Sequence, residues 1–141
     1  VYAFDVGTNQ LAWKLRSDKR VISRENFNCR DINESHINDP IDILVIDVSF
    51  ISLEKILAPA CNILEGSTDV ICLIKPQFEL KREQISKGGI VKDSNLHAEA
   101  KLKIETFAVE ELKMNHIGTI DSPIKGAAGN IEFLAYFRHR A

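Results

Sequence analysis

The chain has 141 residues, a length typical of one domain. It is 45% hydrophobic and 27% charged with a formal net charge of −2, which excludes a disordered tail, a collagen-like chain and a coiled coil. No apolar run approaches the roughly 20 residues that a membrane-spanning helix needs, and no secretion signal is visible.

Short apolar runs alternate with polar stretches in the first third of the chain. They predict a strand at 1–6, a short helix at 9–16 and a second strand at 20–23, followed by a polar loop at 24–41. In the helix, Leu11 and Leu15 share one face. The run at 43–46 is continuously apolar, which predicts a strand covered on both faces.

The rest of the chain contains two helical patterns and three further strands. Six apolar residues from Leu53 to Leu64 recur at spacings of 3, 1, 3, 1 and 3, which places them on one stripe of a helix. A second helix runs from Ser94, a good cap residue, to about residue 114. The remaining predicted elements are a strand at 70–74, a long loop at 75–92, and strands at 116–120 and 131–137.

This alternation of strands and helices predicts an α/β fold with a parallel sheet covered on both sides. The last two strands have no helix between them, so we expect them to pair antiparallel through the loop at 121–130. A mostly parallel sheet with a C-terminal antiparallel strand is typical of the Rossmann-like methyltransferase fold.

Charged residues follow three of the predicted strands. Asp5, Asp47 and Lys75 come at strand ends, and the carboxyl ends of parallel strands form the ligand-binding edge of such a sheet. A single Asp there is commonly a turn former, but three charged residues at one edge favour a site. Glu132 stands in an otherwise apolar run, and a partly buried Glu needs a cationic partner, for which Lys75 is the candidate. We therefore expect Asp47, Lys75 and Glu132 to converge in one cleft.

The loop at 75–92 is locally basic, with a net charge of +3 against −5 for the other residues. Such a loop can bind phosphates, although a solvated loop is the simpler interpretation. The candidate phosphate-binding cations in it are Lys81, Arg82, Lys87 and Lys92. The four histidines lack the spacing of metal ligands, so no metal is expected.

Five segments occur in an order that resembles one family. They are 2–21 (YAFDVGTNQLAWKLRSDKRV), 46–53 (IDVSFISL), 74–79 (IKPQFE), 87–93 (KGGIVKD) and 122–134 (SPIKGAAGNIEFL). Together they resemble the TlyA-type haemolysin family, the FtsJ-like ribosomal RNA 2′-O-methyltransferases. The resemblance implies transfer of a methyl group from S-adenosylmethionine to a ribose hydroxyl, with ribosomal RNA or a ribosomal subunit as partner and no metal.

The family uses a Lys-Asp-Lys-Glu tetrad, and three of its members match this sequence. They are Asp47, Lys75 and Glu132. The resemblance implies that Lys75 activates the hydroxyl while Asp47 and Glu132 orient it. It also implies that the basic loop contacts RNA phosphates, and we expect residues 79–92 to be mobile until RNA binds.

The cofactor residues are also implied by the resemblance. Asp5 matches the acidic residue that holds the cofactor's ribose hydroxyls, and Gly7 leaves room for that contact. Glu25 and Asn28 lie in a segment that resembles the adenine-side loop. Asp47 would lie close to the sulfonium of S-adenosylmethionine.

Several family features lie ahead of the point where this sequence begins. They are an S4-like RNA-binding domain, the first lysine of the tetrad, the first strand and a glycine-rich DxGxxxGGF-type cofactor loop. Because the chain opens with Val1 in an apolar run, we expect the start of the natural protein to be missing. Residues 1–141 are then a single, partial methyltransferase domain.

Other functions remain as alternatives. A catalytically inactive module that binds RNA or protein would share this fold. A membrane-active haemolysin would need a basic amphipathic helix with a large apolar face, which the sequence lacks. A nicotinamide-dependent dehydrogenase has no GxGxxG support. The odd number of cysteines, at 29, 61 and 72, favours a reducing, cytoplasmic environment, and no pattern indicates an oligomeric state.

Overall fold

The computed structural model describes residues 1–140. Within them the strands are β1 (Tyr2–Phe4), β2 (Ile22–Arg24), β3 (Ile43–Ile46), β4 (Ser67–Ile74), β5 (Asn115–Asp121) and β6 (Phe133–Arg140). The helices are α1 (Trp13–Arg16), α2 (Glu54–Cys61), α3 (Pro76–Glu79) and α4 (Ser94–Thr106). A π-helical turn, Phe107–Glu111, continues α4.

The strands form two sheets. In the larger one the order is β3-β4-β6-β5, with β3 and β4 parallel and β6 antiparallel to both of its neighbours. Strand β5 therefore runs in the same direction as β4. In the smaller sheet β1 and β2 pair in parallel. The predicted mixed α/β fold, mostly parallel with an antiparallel C-terminal strand, is confirmed, as is the pairing of the last two strands.

The core lies between one face of the larger sheet and the helices α2 and α4. Every second residue of β4 is buried, from Thr68 to Ile74, and β6 contributes Phe133, Ala135 and Phe137. All six apolar residues of the predicted stripe are also buried: Leu53, Ile56, Leu57, Ala60, Cys61 and Leu64. Full burial of a Leu, Ile or Phe contributes roughly 1.5–3 kcal/mol, so this layer is the main source of stability.

The prediction that β3 is covered on both faces is wrong for the described residues. Ile43 and Val45 are 61% and 67% exposed, whereas Ile46 is buried. The reason is that α2 and α4 contribute to the same core, and α1 has no buried residue that could cover the opposite face.

The predicted helix at 9–16 is reduced to the four residues of α1. The Glu25 carboxylate accepts hydrogen bonds from the backbone N–H groups of Asn9, Gln10 and Leu11. Asn9 also has a φ of 56°, which is incompatible with a right-handed helix. Leu15, expected to face inward, is half exposed. A long-range contact therefore replaces the first turns of the predicted helix.

A cavity of about 620 Å³ separates the two sheets. It is bordered by Tyr2 and Phe4 from β1 and by all four residues of β3. Among residues 1–140, no strand occupies the position between β1 and β3. That the first, central strand of the fold lies outside this chain stays a prediction.

The three cysteines are free, and burial raises the pKa of the Cys61 and Cys72 thiols to about 12. These two thiols are therefore protonated and unreactive at neutral pH. Across residues 1–140, no helix combines the length and the apolar character needed to cross a bilayer.

Candidate active site

An ion pair lies at the carboxyl edge of the larger sheet. Asp47 directly follows β3 and Lys75 directly follows β4, so the parallel pairing of these strands brings them together. Nζ of Lys75 lies 2.7 Å from Oδ1 of Asp47 and donates a second hydrogen bond of 3.0 Å to Oγ of Ser49. The Lys75 side chain is only 13% exposed, whereas that of Asp47 is 63% exposed. Two of the three ammonium hydrogens are thus engaged, which leaves one for a ligand.

Glu132 lies at the same edge but does not contact Lys75. In the antiparallel pair of β4 and β6, Ile74 is opposite Phe133, so Lys75 and Glu132 extend the two strands at the same end. Glu132 is buried, at 6% exposure. Its carboxylate forms no ion pair among residues 1–140, so the expected pairing with Lys75 is wrong. The reason is that Asp47 and Ser49 hold the ammonium on the β3 side.

The turn before β6 forms the pocket for this carboxylate. A Cβ atom placed on Gly126 would lie 1.9 Å from Oε1 of Glu132, so any side chain there would displace the carboxylate. The turn is closed by a 2.8 Å hydrogen bond from the Gly126 N–H to the carbonyl of Asn130. Nε2 of Gln77 donates to the same oxygen, Oε1 of Glu132, over 3.5 Å.

A cavity of about 1170 Å³ opens at this edge. Of the expected cofactor residues, Asp5, Gly7, Asn28 and Asp47 line it. They come from the segments that follow β1, β2 and β3, so the cavity spans both sheets.

The contacts of Asp5 and Asn28 define what each can still bind. Oδ1 of Asp5 accepts a 2.7 Å hydrogen bond from the Gly7 N–H, while its Oδ2 has no partner among residues 1–140. A Cβ on Gly7 would approach Oδ1 of Asp5 to 3.1 Å, so the glycine permits this close contact. Oδ1 of Asn28 is occupied by the backbone N–H and Nε of Arg30.

Glu25 has a different position from the one expected. Its carboxylate faces the loop at 9–11 and lies 3.5 Å from the Arg16 guanidinium, and it does not border the cavity. The hydrogen bond from the Asn9 N–H is the main reason that the pKa of Glu25 is lowered. The structure thus gives Glu25 an anchoring role in the loop at 9–11.

Sequence reasoning missed Phe50. Its ring is 91% exposed, borders the cavity, and lies 5.0 Å from the ring of Phe78. Phe50 also has a φ of 62°, a strained conformation for an aromatic residue. Such strain collects at functional sites. The signal that could have found it is an aromatic residue in the short turn between Asp47 and α2.

Sequence reasoning also missed a buried cluster around Glu79. The Glu79 side chain is 1% exposed and accepts hydrogen bonds from Oγ of Ser52, the Leu53 N–H and Nζ of Lys103, at 2.6, 2.8 and 3.1 Å. These contacts join α3, which follows Lys75, to the start of α2 and to α4. Glu79 therefore does not belong to the exposed basic loop.

The cations of the basic loop are available to a ligand. Lys81, Arg82, Lys87 and Lys92 are all exposed, and none forms an ion pair within the described part of the chain. Because Lys75 and Glu79 are both engaged internally, the loop keeps its net charge of +3.

The C-terminal end of this loop is attached to the turn before β6. The side chain of Asn130 accepts from the Val91 N–H at 3.0 Å and donates to the Gly89 carbonyl at 2.9 Å. Nε2 of His97 lies 2.9 Å from the Val91 carbonyl. Together with the Glu79 cluster, these contacts attach both ends of the segment 79–92 to the fold. The mobility predicted for this segment stays a prediction.

The part of the chain that the structure describes contains no group of three or more His, Cys, Asp or Glu side chains that could hold a metal ion. The charged side chains at the sheet edge are two carboxylates and one ammonium. This set is suited to proton transfer and to hydrogen bonding.

Known proteins resemble this chain over nearly its whole length. Hemolysin A of Brachyspira hyodysenteriae is 47% identical over 97% of the chain and 57% of its own length. The 16S/23S rRNA (cytidine-2′-O)-methyltransferase TlyA of Mycobacterium tuberculosis is 38% identical over 98% of the chain and 51% of its own length. The chain thus spans about half the length of the curated relatives it matches.

Solved structures show the same fold. The crystal structure of a candidate hemolysin from Lactococcus lactis matches with a TM-score of 0.91 and 47% identity, over 97% of this chain and 65% of the other. A SAM-dependent methyltransferase from Methanosarcina mazei, at 10% identity, matches with a TM-score of 0.61 over 99% of this chain and 81% of the other, and shows the fold alone. The family model described as FtsJ-like methyltransferase matches residues 1–139. The chain therefore belongs to the FtsJ-like methyltransferase family.

Proposed function

We propose that the protein transfers a methyl group to a ribose 2′-hydroxyl of ribosomal RNA and that Lys75 activates this hydroxyl. The observation that carries the proposal is the ion pair of 2.7 Å between Lys75 and Asp47, of which Asp47 lines the large cavity. Family membership supports the reaction class. The substrate class is supported by the relative that is named as a 16S/23S rRNA (cytidine-2′-O)-methyltransferase.

The cavity residues fit S-adenosylmethionine. The free Oδ2 of Asp5 is an acceptor for a ribose diol, and the carboxylate of Asp47 suits a nearby positive charge. Phe4 and Phe27 supply apolar surface for an adenine on the same side of the cavity as Asn28. When bound, S-adenosylmethionine supplies an electrophilic methyl group on a positively charged sulfur.

Lys75 moves the proton. Before the reaction the Lys75 ammonium loses one proton to solvent, and the resulting amine takes the hydroxyl proton on Nζ and becomes an ammonium again. Asp47 and Ser49, the two acceptors of Nζ, stabilise that ammonium as it forms. Glu132 contributes a buried negative charge at the same edge and orients the hydroxyl from the β6 side.

The RNA is held by two features of the cleft rim. The basic loop contacts phosphates, which positions the RNA without reading its sequence. The exposed ring of Phe50, supported by Phe78, offers a stacking surface for a base that has been rotated out of its helix. Glu25 anchors the loop at 9–11 and does not touch the cofactor.

Methyl transfer from labelled S-adenosylmethionine to ribosomal RNA tests the proposal in the complete protein. The wild type and the surface control Lys19→Ala should methylate a ribose 2′-oxygen, and Lys75→Ala should not. A wild type that binds the cofactor and RNA without transfer would identify the alternative, an inactive binding module. Absence of both binding and transfer would reject the proposal.

The cofactor assignment has its own test. Asp5→Ala removes the acceptor for the ribose diol, so affinity for S-adenosylhomocysteine should fall about tenfold, the loss expected for one hydrogen bond to a charged group. Isothermal titration calorimetry measures it. Glu25→Gln is the matched control and should leave the affinity unchanged. An unaltered affinity in Asp5→Ala would exclude this role.

A further inference from the structure

Gln77 has a buried carbonyl oxygen without a partner. Its Oε1 is inaccessible to solvent and accepts no hydrogen bond from any of residues 1–140. Buried polar groups in native proteins are nearly always hydrogen-bonded, so an exception of this kind calls for an explanation. The neighbouring Glu79, on the same short helix, has three donors, so the missing partner of Gln77 is a local feature and not poor packing of α3.

The orientation of Gln77 is dictated by Glu132. The amide turns its NH₂ group toward Oε1 of Glu132, because the opposite orientation would place its carbonyl against a carboxylate. The unpaired Oε1 is therefore the consequence of holding Glu132. An apolar side chain at position 77 would avoid the unpaired carbonyl but could not donate to the carboxylate.

Gly126 also restricts the position of Glu132. Its missing Cβ is the space that the carboxylate occupies, since that atom would lie 1.9 Å from Oε1 and 2.4 Å from Cδ of Glu132. The backbone conformation of Gly126 does not require glycine, because its φ is −78°. The requirement is thus steric and directed at Glu132 alone.

We propose that Gln77 and Gly126 are positioning residues for methyl transfer, which act by fixing the carboxylate of Glu132 at the reaction edge. The inference rests on the proposed function. It extends the site to two residues that perform no chemistry themselves. The carboxylate of Glu132 is buried and forms no ion pair with any of residues 1–140. Its position therefore depends on Gln77 and Gly126.

A double-mutant cycle on turnover tests the proposal in the complete protein. Gly126→Ala should lower kcat about 100-fold, the effect of displacing a reacting group by about 1 Å, with little change in KM for RNA. In a Glu132→Ala background, where the carboxylate is gone, the same substitution should change kcat by less than about twofold. Gly118→Ala is the matched control, because a Cβ at Gly118 meets no atom within 4 Å.

The variant Gln77→Met provides a second test, in which stability and turnover should change in opposite directions. It removes the unpaired carbonyl, so the melting temperature should stay equal or rise, while kcat falls in the wild type and not in Glu132→Ala. If Gln77 had only a structural role, Gln77→Met would lower the melting temperature together with kcat. Equal losses of kcat in both backgrounds, for either residue, would overturn the proposal.

Thermal unfolding separates this proposal from the proposed function. Gly126→Ala should lower the melting temperature when Glu132 is present and not in Glu132→Ala, whether or not the protein is active. If no variant transfers a methyl group but this coupling is found, the proposed function fails and the pocket for Glu132 stands. If the changes in melting temperature caused by Gly126→Ala and Glu132→Ala simply add in the double variant, the positioning role itself is wrong.

Discussion

Two buried glutamates at the same end of the molecule have opposite surroundings. Glu79 is held by a lysine, a serine hydroxyl and a backbone N–H, all within 3.1 Å. Glu132 has no cation within 4.0 Å among residues 1–140 and one donor at 3.5 Å. Burying a carboxylate without compensation is costly. The comparison teaches that Glu79 is buried to join elements of the fold, whereas the fold gives Glu132 no such partners and the proposed function at the sheet edge accounts for its burial.

Lys75 follows β4, the strand that leads into the helix of Glu79 and pairs with the strand that follows Glu132, and its loss should have the largest effect. Lys75→Ala should lower single-turnover methyl transfer about a thousandfold, since it removes the group that takes the proton, while cofactor affinity stays nearly intact. Lys75→Arg should also fail, because a guanidinium remains charged and cannot accept a proton.

A purely structural Lys75 would give a different result. Arg would then preserve the charge balance with Asp47 and much of the rate, and Ala would destabilise the fold. Single-turnover rates and thermal unfolding of both variants separate the two roles. An active and stable Lys75→Arg enzyme would contradict proton transfer by Lys75.

The stability of the two glutamate variants tests the comparison directly. Glu79→Ala should lower the free energy of unfolding by about 3 kcal/mol, because it removes three hydrogen bonds to a buried carboxylate, one of them from the Lys103 ammonium, which keeps Glu54 as its remaining ion-pair partner. Glu132→Ala should change it by less than about 1 kcal/mol. Urea denaturation measures both, with the exposed Glu65→Ala as control. Similar losses of unfolding free energy in Glu79→Ala and Glu132→Ala would contradict the contrast between the two glutamates.

The basic loop connects the two regions, since it begins after Glu79 and is attached through Asn130 to the turn before Glu132. Replacing Lys81, Arg82 and Lys87 by alanine should flatten the salt dependence of RNA affinity by roughly one unit of slope per lost phosphate contact. Filter binding at several salt concentrations measures the slope. Lys14→Ala with Lys19→Ala is the control on another surface, and an unchanged slope in the triple variant would exclude the loop from RNA binding.

Glu25 is a third case, with a smaller expected effect. Its carboxylate accepts hydrogen bonds mainly from backbone N–H groups. Because these bonds lower the folded-state pKa below the ordinary value of 4.5, Glu25 stabilises the protein fully above that pH and loses its contribution as the pH falls through the lowered pKa. The stability difference between wild type and Glu25→Gln should therefore shrink on acidification below about pH 4.5. A constant difference down to pH 2 would contradict this linkage.

The sequence by itself determined the elements that carry the site. The helical pattern predicted the buried face of α2, because burial of one face leaves a local periodic signal, and the apolar run at 70–74 predicted the strand β4. The strand-ending residues Asp47 and Lys75 could be placed at one edge, because parallel strands align their carboxyl ends. The antiparallel pairing of β5 and β6 followed from the absence of a helix between them.

Only the tertiary structure decided which charged groups meet. The partners of Glu79 and Glu132 lie 24 to 55 positions away in the chain, so strand register and helix packing select them. The same applies to Glu25, whose bonds to residues 9–11 shorten α1, and to Lys75, which pairs with Asp47 and Ser49 and not with Glu132. The physical reason is that periodicity reports burial along one element, whereas hydrogen bonds and ion pairs depend on distances of a few ångströms between elements, which no local pattern encodes.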